Sequence, residues 1–304
     1  MTMKLHSKPG TAEPAKTPNI WLLGMRPRTL TMAAVPVTVG AVLAWAGDAD
    51  PDWITFIATL ACAVLIQIGT NLLNDAKDGE RGADGPDRIG PLRITGAGLA
   101  KPKQVRRAAL ACFIAALTAG LYLVFVGGMP ILLIGVASLV SGYAYSSGRR
   151  PLSHGPFSEV YVIVFFGLVA VAGSSYLQSG QLPEGAVILT GIAIGCYAAA
   201  VLLVNNLRDT AADLRAGRRT RAGRLGTRAT QLWYGFLVLL PFPLLAIAWG
   251  VQALGLAWLS LPVCLWLALR FARMQVGPGM NAQLGRTALV QVLVGTLLIV
   301  EQLS

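Results

Sequence analysis

The sequence predicts an all-α polytopic membrane protein: nine transmembrane helices around a central cavity, in two parallel four-helix repeats plus one extra helix. Three observations carry that prediction. The 304 residues are 55% hydrophobic and only 13% charged, against about 25% charged in ordinary soluble domains. The apolar residues gather into runs of roughly 17–25, the length a helix needs to cross about 30 Å of hydrocarbon. All 25 Lys and Arg residues fall on alternate connections between those runs.

Residues 1–19, with Pro9, Gly10, Pro14 and Pro18, read as a disordered tail. They lack the apolar core and small-residue cleavage site of a signal peptide. Residues 20–304 read as one membrane domain. The spans are placed near 29–46, 53–74, 104–126, 129–147, 158–178, 185–206, 229–249, 252–272 and 284–303. Helices are expected throughout, because backbone polar groups in lipid must be satisfied within the segment. Pro36, Pro241, Pro243 and Pro262 are potential kinks. Lys and Arg occupy 1–28, 75–107, 149–150, 208–228 and 270–286, whereas "GDADPD", "GGMP", "QSGQLPE" and "GVQ" have none. The positive-inside rule therefore puts the N-terminus in the cytoplasm and, with nine spans, the C-terminus outside.

The net charge of +11 does not indicate nucleic acid, since the basic residues are spread over short loops rather than one polar element. Cys62, Cys112, Cys196 and Cys264 all lie in apolar runs without metal-ligand or disulfide-framework spacing.

Two polar connections follow spans four apart and open on similar phrases. "NLLNDAKD" places Asn71, Asp75 and Asp78 at intervals of four and three. "NNLRDTAAD" places Asn205, Asp209 and Asp213 at intervals of four. If the helices run on past the membrane edge, each set shares a helical face. Clustered carboxylates without a counter-ion would repel one another. Oxygen-only donors with no nearby His or Cys suit Mg²⁺, which combines one or two carboxylates with substrate phosphates. Lys77, Arg81, Arg88, Arg93, Arg208, Arg215, Arg218, Arg219 and Arg221 supply phosphate partners in the same loops. Singly, these side chains are equally at home as solvated helix ends and lipid-headgroup contacts.

"NDAKDGERGAD" (74–84) resembles the first Asp-rich motif of the UbiA-type intramembrane prenyltransferases, in the form found in the 1,4-dihydroxy-2-naphthoate polyprenyltransferases of menaquinone synthesis. "RPRTLTMAAVPVTVG" (26–40), "IGPLRITGAGLAKPKQVRRA" (89–108), the 143–180 stretch and "LLVNNLRDTAADLRAGRRTRAGRLG" (202–226) extend the resemblance over residues 20–300. Departures are Ala76 for a common Tyr, Gly96-Ala97, His154 for a common aromatic, and Arg218 for a usual Lys.

The resemblance implies Mg²⁺-dependent transfer of a polyprenyl chain from polyprenyl diphosphate to dihydroxynaphthoate, with loss of CO₂ and diphosphate, at the cytoplasmic face of a bacterial inner membrane. Asn71, Asp75, Asp78, Asp209 and Asp213 are the expected metal–diphosphate residues. Asp84, Arg88, Arg93, Asn205, Arg208 and Arg218 complete the expected diphosphate site. Tyr143, Tyr145 and Tyr176 are candidates to line the cavity or, equally, interface aromatics; Glu159 is a candidate to orient the acceptor or cap a helix. The alternatives are a relative with another acceptor, such as 4-hydroxybenzoate, and a secondary transporter. Transporter sites usually sit at mid-membrane on broken helices, whereas these acids stand at span ends.

Overall fold

The structure is a computed structural model describing residues 19–80, 89–146, 151–215, 217–251 and 255–304. Among the described residues it is all-helical, and seven helices are long and apolar enough to cross a membrane. A short α1 (Ile20–Met25), capped by Asn19, leads through Arg26 into α2 (Pro27–Ala46). Helix α3 (Trp53–Glu80) follows, then α4 (Pro102–Ser146). A continuous rod runs through α5 (Ser158–Ile163), a π-helical segment (Val164–Val169) and α6 (Ala170–Ser179). Next come α7 (Gly185–Arg208), α8 (Thr210–Arg215), α9 (Arg221–Leu239) and α10 (Pro241–Trp249). A 3₁₀ turn (Ala257–Ser260) leads into α11 (Leu261–Ala272), and α12 (Gly279–Leu303) ends the chain.

Three features of these helices have physical causes. The spans expected at 104–126 and 129–147 correspond to two helical arms within α4, parted at a kink where Gly128 takes φ 64°, a conformation glycine adopts without a Cβ penalty. Of the prolines, Pro36 sits inside an unbroken α2, while Pro241 opens α10 and Pro262 lies in the first turn of α11. At Pro241 the missing N–H interrupts the hydrogen-bond ladder between α9 and α10, across which Leu240 keeps helical φ and ψ. Finally, α3 runs six residues past its expected end, carrying Asp75 and Asp78 on ordered helix.

Helix α7 is the centre of the bundle. It packs against the rod, α9, α10 and α12, and its Ile194, Tyr197, Leu203, Val204 and Leu207 belong to the largest buried cluster. Small residues let the rod come close: a Cβ on Gly195 would sit 2.7 Å from the Ile163 carbonyl oxygen, and one on Gly167 would sit 2.3 Å from that of Gly191. In lipid, where tails are as apolar as Leu, such backbone approach supplies much of the association between helices. Helix α2 packs on α6 and α12. Helix α4 packs on α3 while Leu117, Leu121, Phe125 and Leu133 stay exposed, an outward apolar surface suited to lipid.

Candidate active site

Between α2, α3, α4, the rod and α7 lies a cavity of about 310 Å³. Its walls are mainly apolar, including Val37, Leu123, Ile131, Ile134, Phe165 and Phe166. Its polar end is built from the ends of α3 and α7, where Asn71, Asn74, Arg93, Asn205, Asp209, Asp213 and Arg218 face inward.

The two acidic phrases meet here through arginines. Asp78, 1% exposed, is bridged to Arg93 through one carboxylate oxygen and to Arg218 through the other. Arg218 also lies 3.4 Å from Asp213, so it ties the end of α3 to α8. Burial holds the Arg218 guanidinium below the usual arginine range, as desolvation disfavours the charged form. Arg93 is steadied by a 3.1 Å hydrogen bond to the Asn74 carbonyl.

Asp75 has a different setting. Its carboxylate accepts the Ile94 and Thr95 amides, each at 3.0 Å, and the Thr95 hydroxyl at 2.6 Å. Like Asp78 it lies outside the cavity lining, and it fixes the segment that presents Arg93. Asn71 donates to the Met25 carbonyl and to Thr29 Oγ1 at 3.0 and 3.1 Å, leaving its own oxygen available. Asp209, at the C-cap of α7, receives both Nε and Nη2 of Arg208 at 2.9 and 2.7 Å. Arg208 further donates to Asn205 at 2.6 Å and to Asn281 at 2.8 Å. The helix path is nearly continuous here, since the Asp213 amide bonds the Asp209 carbonyl at 2.8 Å.

The aromatic expectations divide. Tyr145 lines the cavity and stacks on Tyr161, which abuts Phe165 with ring centroids 4.6 Å apart. Tyr143, two residues earlier and so about 200° around the helix, is 59% exposed and turned away. Tyr176 lies outside the lining and donates to the Gly127 carbonyl. Glu159 is buried beside the cavity, within 3.4 Å of Asn206, Ser158 and Arg221. It joins the rod to α7 and α9. Asp84 and Arg88 lie outside the described residues.

Sequence reasoning missed Arg26, Tyr161, Phe165 and Asn281. Arg26 lines the cavity with φ 54°, a left-handed conformation uncommon for a residue with a Cβ. Tyr161 and Phe165 are four apart on one helical face, a spacing visible in the sequence. Asn281 has no sequence signal.

The donor set suits a hard cation. Asn71, Asn205, Asp209 and Asp213 line the cavity, with no His or Cys among the described residues there except Cys62 in the apolar part. Among the described residues no three acidic, His or Cys side chains form a closed metal cage. Two carboxylates completed by substrate phosphate is the mode Mg²⁺ commonly takes.

Residues 33–282 match the UbiA prenyltransferase family. The 1,4-dihydroxy-2-naphthoate octaprenyltransferase of Mycobacterium tuberculosis is 38% identical over 247 residues, 79% of this chain and 83% of that one. The Escherichia coli enzyme of the same description is 37% identical over 226 residues, 72% of each chain. In structure, a UbiA homologue from Archaeoglobus fulgidus bound to GPP and Mg²⁺ superposes with a TM-score of 0.67 at 12% identity, covering 94% of this chain and 100% of that one. The same homologue bound to DMAPP and Mg²⁺ gives 0.65 at 14% identity, covering 93% and 99%.

Proposed function

The chain belongs to the UbiA prenyltransferase family, and on that premise we propose that it transfers a polyprenyl chain from polyprenyl diphosphate to 1,4-dihydroxy-2-naphthoate. The products are demethylmenaquinol, diphosphate and CO₂. The observation that carries the proposal is the junction of the polar end, where Asp78, Arg218 and Asp213 are linked, with an apolar cavity inside a membrane bundle. The acceptor assignment is supported by relatives described as dihydroxynaphthoate enzymes at 30–38% identity.

Breaking the allylic C–O bond leaves the electron pair on diphosphate and a cation on the prenyl carbon. Arg93 and Arg218 receive the diphosphate oxygens, and Asp75 positions Arg93 through Ile94 and Thr95. Asn71, Asp78, Asp209 and Asp213 are the proposed residues for Mg²⁺, with Asn205 and Arg208 orienting Asp209 and with Asp84 and Arg88 assigned to the diphosphate from the sequence motif. When bound, Mg²⁺ supplies positive charge to the leaving group. Such preorganised charge counts for more where water is excluded. The faces of Tyr145, Tyr161 and Phe165 suit the allylic cation, and the apolar walls keep water from capturing it. Glu159 holds Asn206 on the cavity wall. The aromatic ring donates the pair that forms the new C–C bond, and loss of its carboxylate as CO₂ restores aromaticity.

The same reading counts the two arms of α4 and the shorter Ala257–Ala272 helix as separate crossings. That makes nine, as two four-helix repeats and a final α12, with the N-terminus and polar end cytoplasmic. Residues 1–19 are a tail to this single domain.

The test is purified protein in liposomes with Mg²⁺, polyprenyl diphosphate and carboxyl-labelled dihydroxynaphthoate. Labelled CO₂ should appear in step with prenylated product, and Asp209→Asn should abolish both. Faster turnover of 4-hydroxybenzoate would overturn the acceptor assignment.

A further inference from the structure

A second groove, about 350 Å³ in volume, runs between the first turns of α2 and α12. Arg28, Thr31, Asn281 and Arg286 line it, along with the apolar side chains of Leu289 and Val292. No acidic residue is among its described lining.

Arg286 stands two turns inside α12, about 10 Å from the helix start, on a segment apolar enough to span a bilayer. A guanidinium at that depth is costly without a partner. Its Nη1 is sealed from solvent and has no hydrogen-bond acceptor. Its guanidinium carbon lies 5.7 Å from the centroid of the Trp266 ring, and that of Arg270 lies 5.6 Å from the same ring. Two cations thus share one aromatic ring, while Arg28 is exposed on the far wall. The missing element is an anion. Leu289, 68% exposed, continues the groove outward as an apolar strip, which a small free anion would leave uncovered.

We propose that this groove binds an anionic membrane phospholipid, with its phosphate between Arg28 and Arg286 and an acyl chain along Leu289 and Val292. The inference goes beyond the prenyl-transfer reading and does not need turnover. The site adjoins the polar end of the main cavity, because Asn281 donates to the Ile89 carbonyl at 3.0 Å and accepts from Arg208 at 2.8 Å. A bound headgroup therefore lies one side chain away from the Arg208–Asp209 pair.

The test titrates delipidated, detergent-purified full-length protein with phosphatidylglycerol or phosphatidylcholine and counts bound lipid by native mass spectrometry. Wild type should bind phosphatidylglycerol roughly thirtyfold more tightly, as expected for two arginines at about fivefold each on an anionic headgroup. R28Q/R286Q should bind both lipids alike. Arg28→Gln alone, a change at an exposed position that leaves the bundle intact, should lose about fivefold. The charge-matched control K101Q/K103Q, at exposed lysines by the start of α4, should retain the preference. Equal loss in that control would mean general surface attraction and overturn the site. Displacement of phosphatidylglycerol by millimolar inorganic phosphate would make it a free-phosphate site. Displacement by farnesyl diphosphate would make it a substrate site. Either result also overturns the proposal.

Discussion

Replacing Asp78 with Asn removes one negative charge from between two positive ones and changes almost nothing else. The side chains have the same shape, and the position is 1% exposed, so packing is conserved. Arg93 keeps the Asn74 carbonyl and Arg218 keeps Asp213. Breaking a buried ion pair by neutralising one member costs about 3–5 kcal/mol. Both arginines keep a second partner, so the lower end, about 3 kcal/mol, applies. At about 2–4 °C per kcal/mol for chains of this general size, Tm should fall by about 6–12 °C. The assay is thermal unfolding of the detergent-solubilised protein without substrate, repeated for Arg218→Gln and the double variant. Because Asp78 and Arg218 are direct partners, the double variant should be less destabilised than the sum of the singles by about 1–3 kcal/mol. A Tm for Asp78→Asn within a degree of wild type, or strict additivity, would refute the bridge between the two acidic segments.

Two further outcomes follow from the hydrogen bonds. Thr95→Val removes the hydroxyl that donates to Asp75 at 2.6 Å and should raise KM for the prenyl diphosphate about tenfold, the cost of roughly one hydrogen bond to a charged group, with kcat changed less. If Thr95→Val keeps its KM while Asp75→Asn is inactive, Asp75 meets the substrate or metal itself rather than positioning Arg93. At the opposite end of α3, Asp52 lies low in the carboxylate range, chiefly through the Thr55 hydroxyl and then the Thr55 amide. A depressed folded pKa gives stability that is present above the unfolded value of about 4 and is lost as pH falls through the folded one. Asp52→Ala should therefore lower Tm by a few degrees at pH 7, the loss of a helix cap worth about 1 kcal/mol. Its difference from wild type should shrink below pH 4; an undiminished difference there would exclude the charged cap.

Much of this architecture is written in local pattern, because a membrane span must satisfy its own backbone and show apolar side chains to lipid. The expected run at 185–206 and the observed α7 nearly coincide, and its acidic sequel stays helical through Asp213 because the Asp209 carbonyl still finds the Asp213 amide. Local pattern also fixes relative angles on one helix, which is why Tyr143 and Tyr145 had to face different ways. It does not fix which neighbour a face meets. Asp75 and Asp78 stand three residues apart, yet one grips the Ile94–Thr95 backbone and the other two arginines.

That division depends on how residues 89–101 fold back over α3, which no period in the sequence encodes. Asn281 makes the point most sharply. Its partners Arg208 and Ile89 lie 73 and 192 positions away, so its place between groove and cavity exists only once α7, α12 and the segment after α3 are assembled. The chemistry of the polar end was legible because acids and amides recur at helical spacing. Its wiring was not, because each wire is an arginine or asparagine whose reach is decided by the other end.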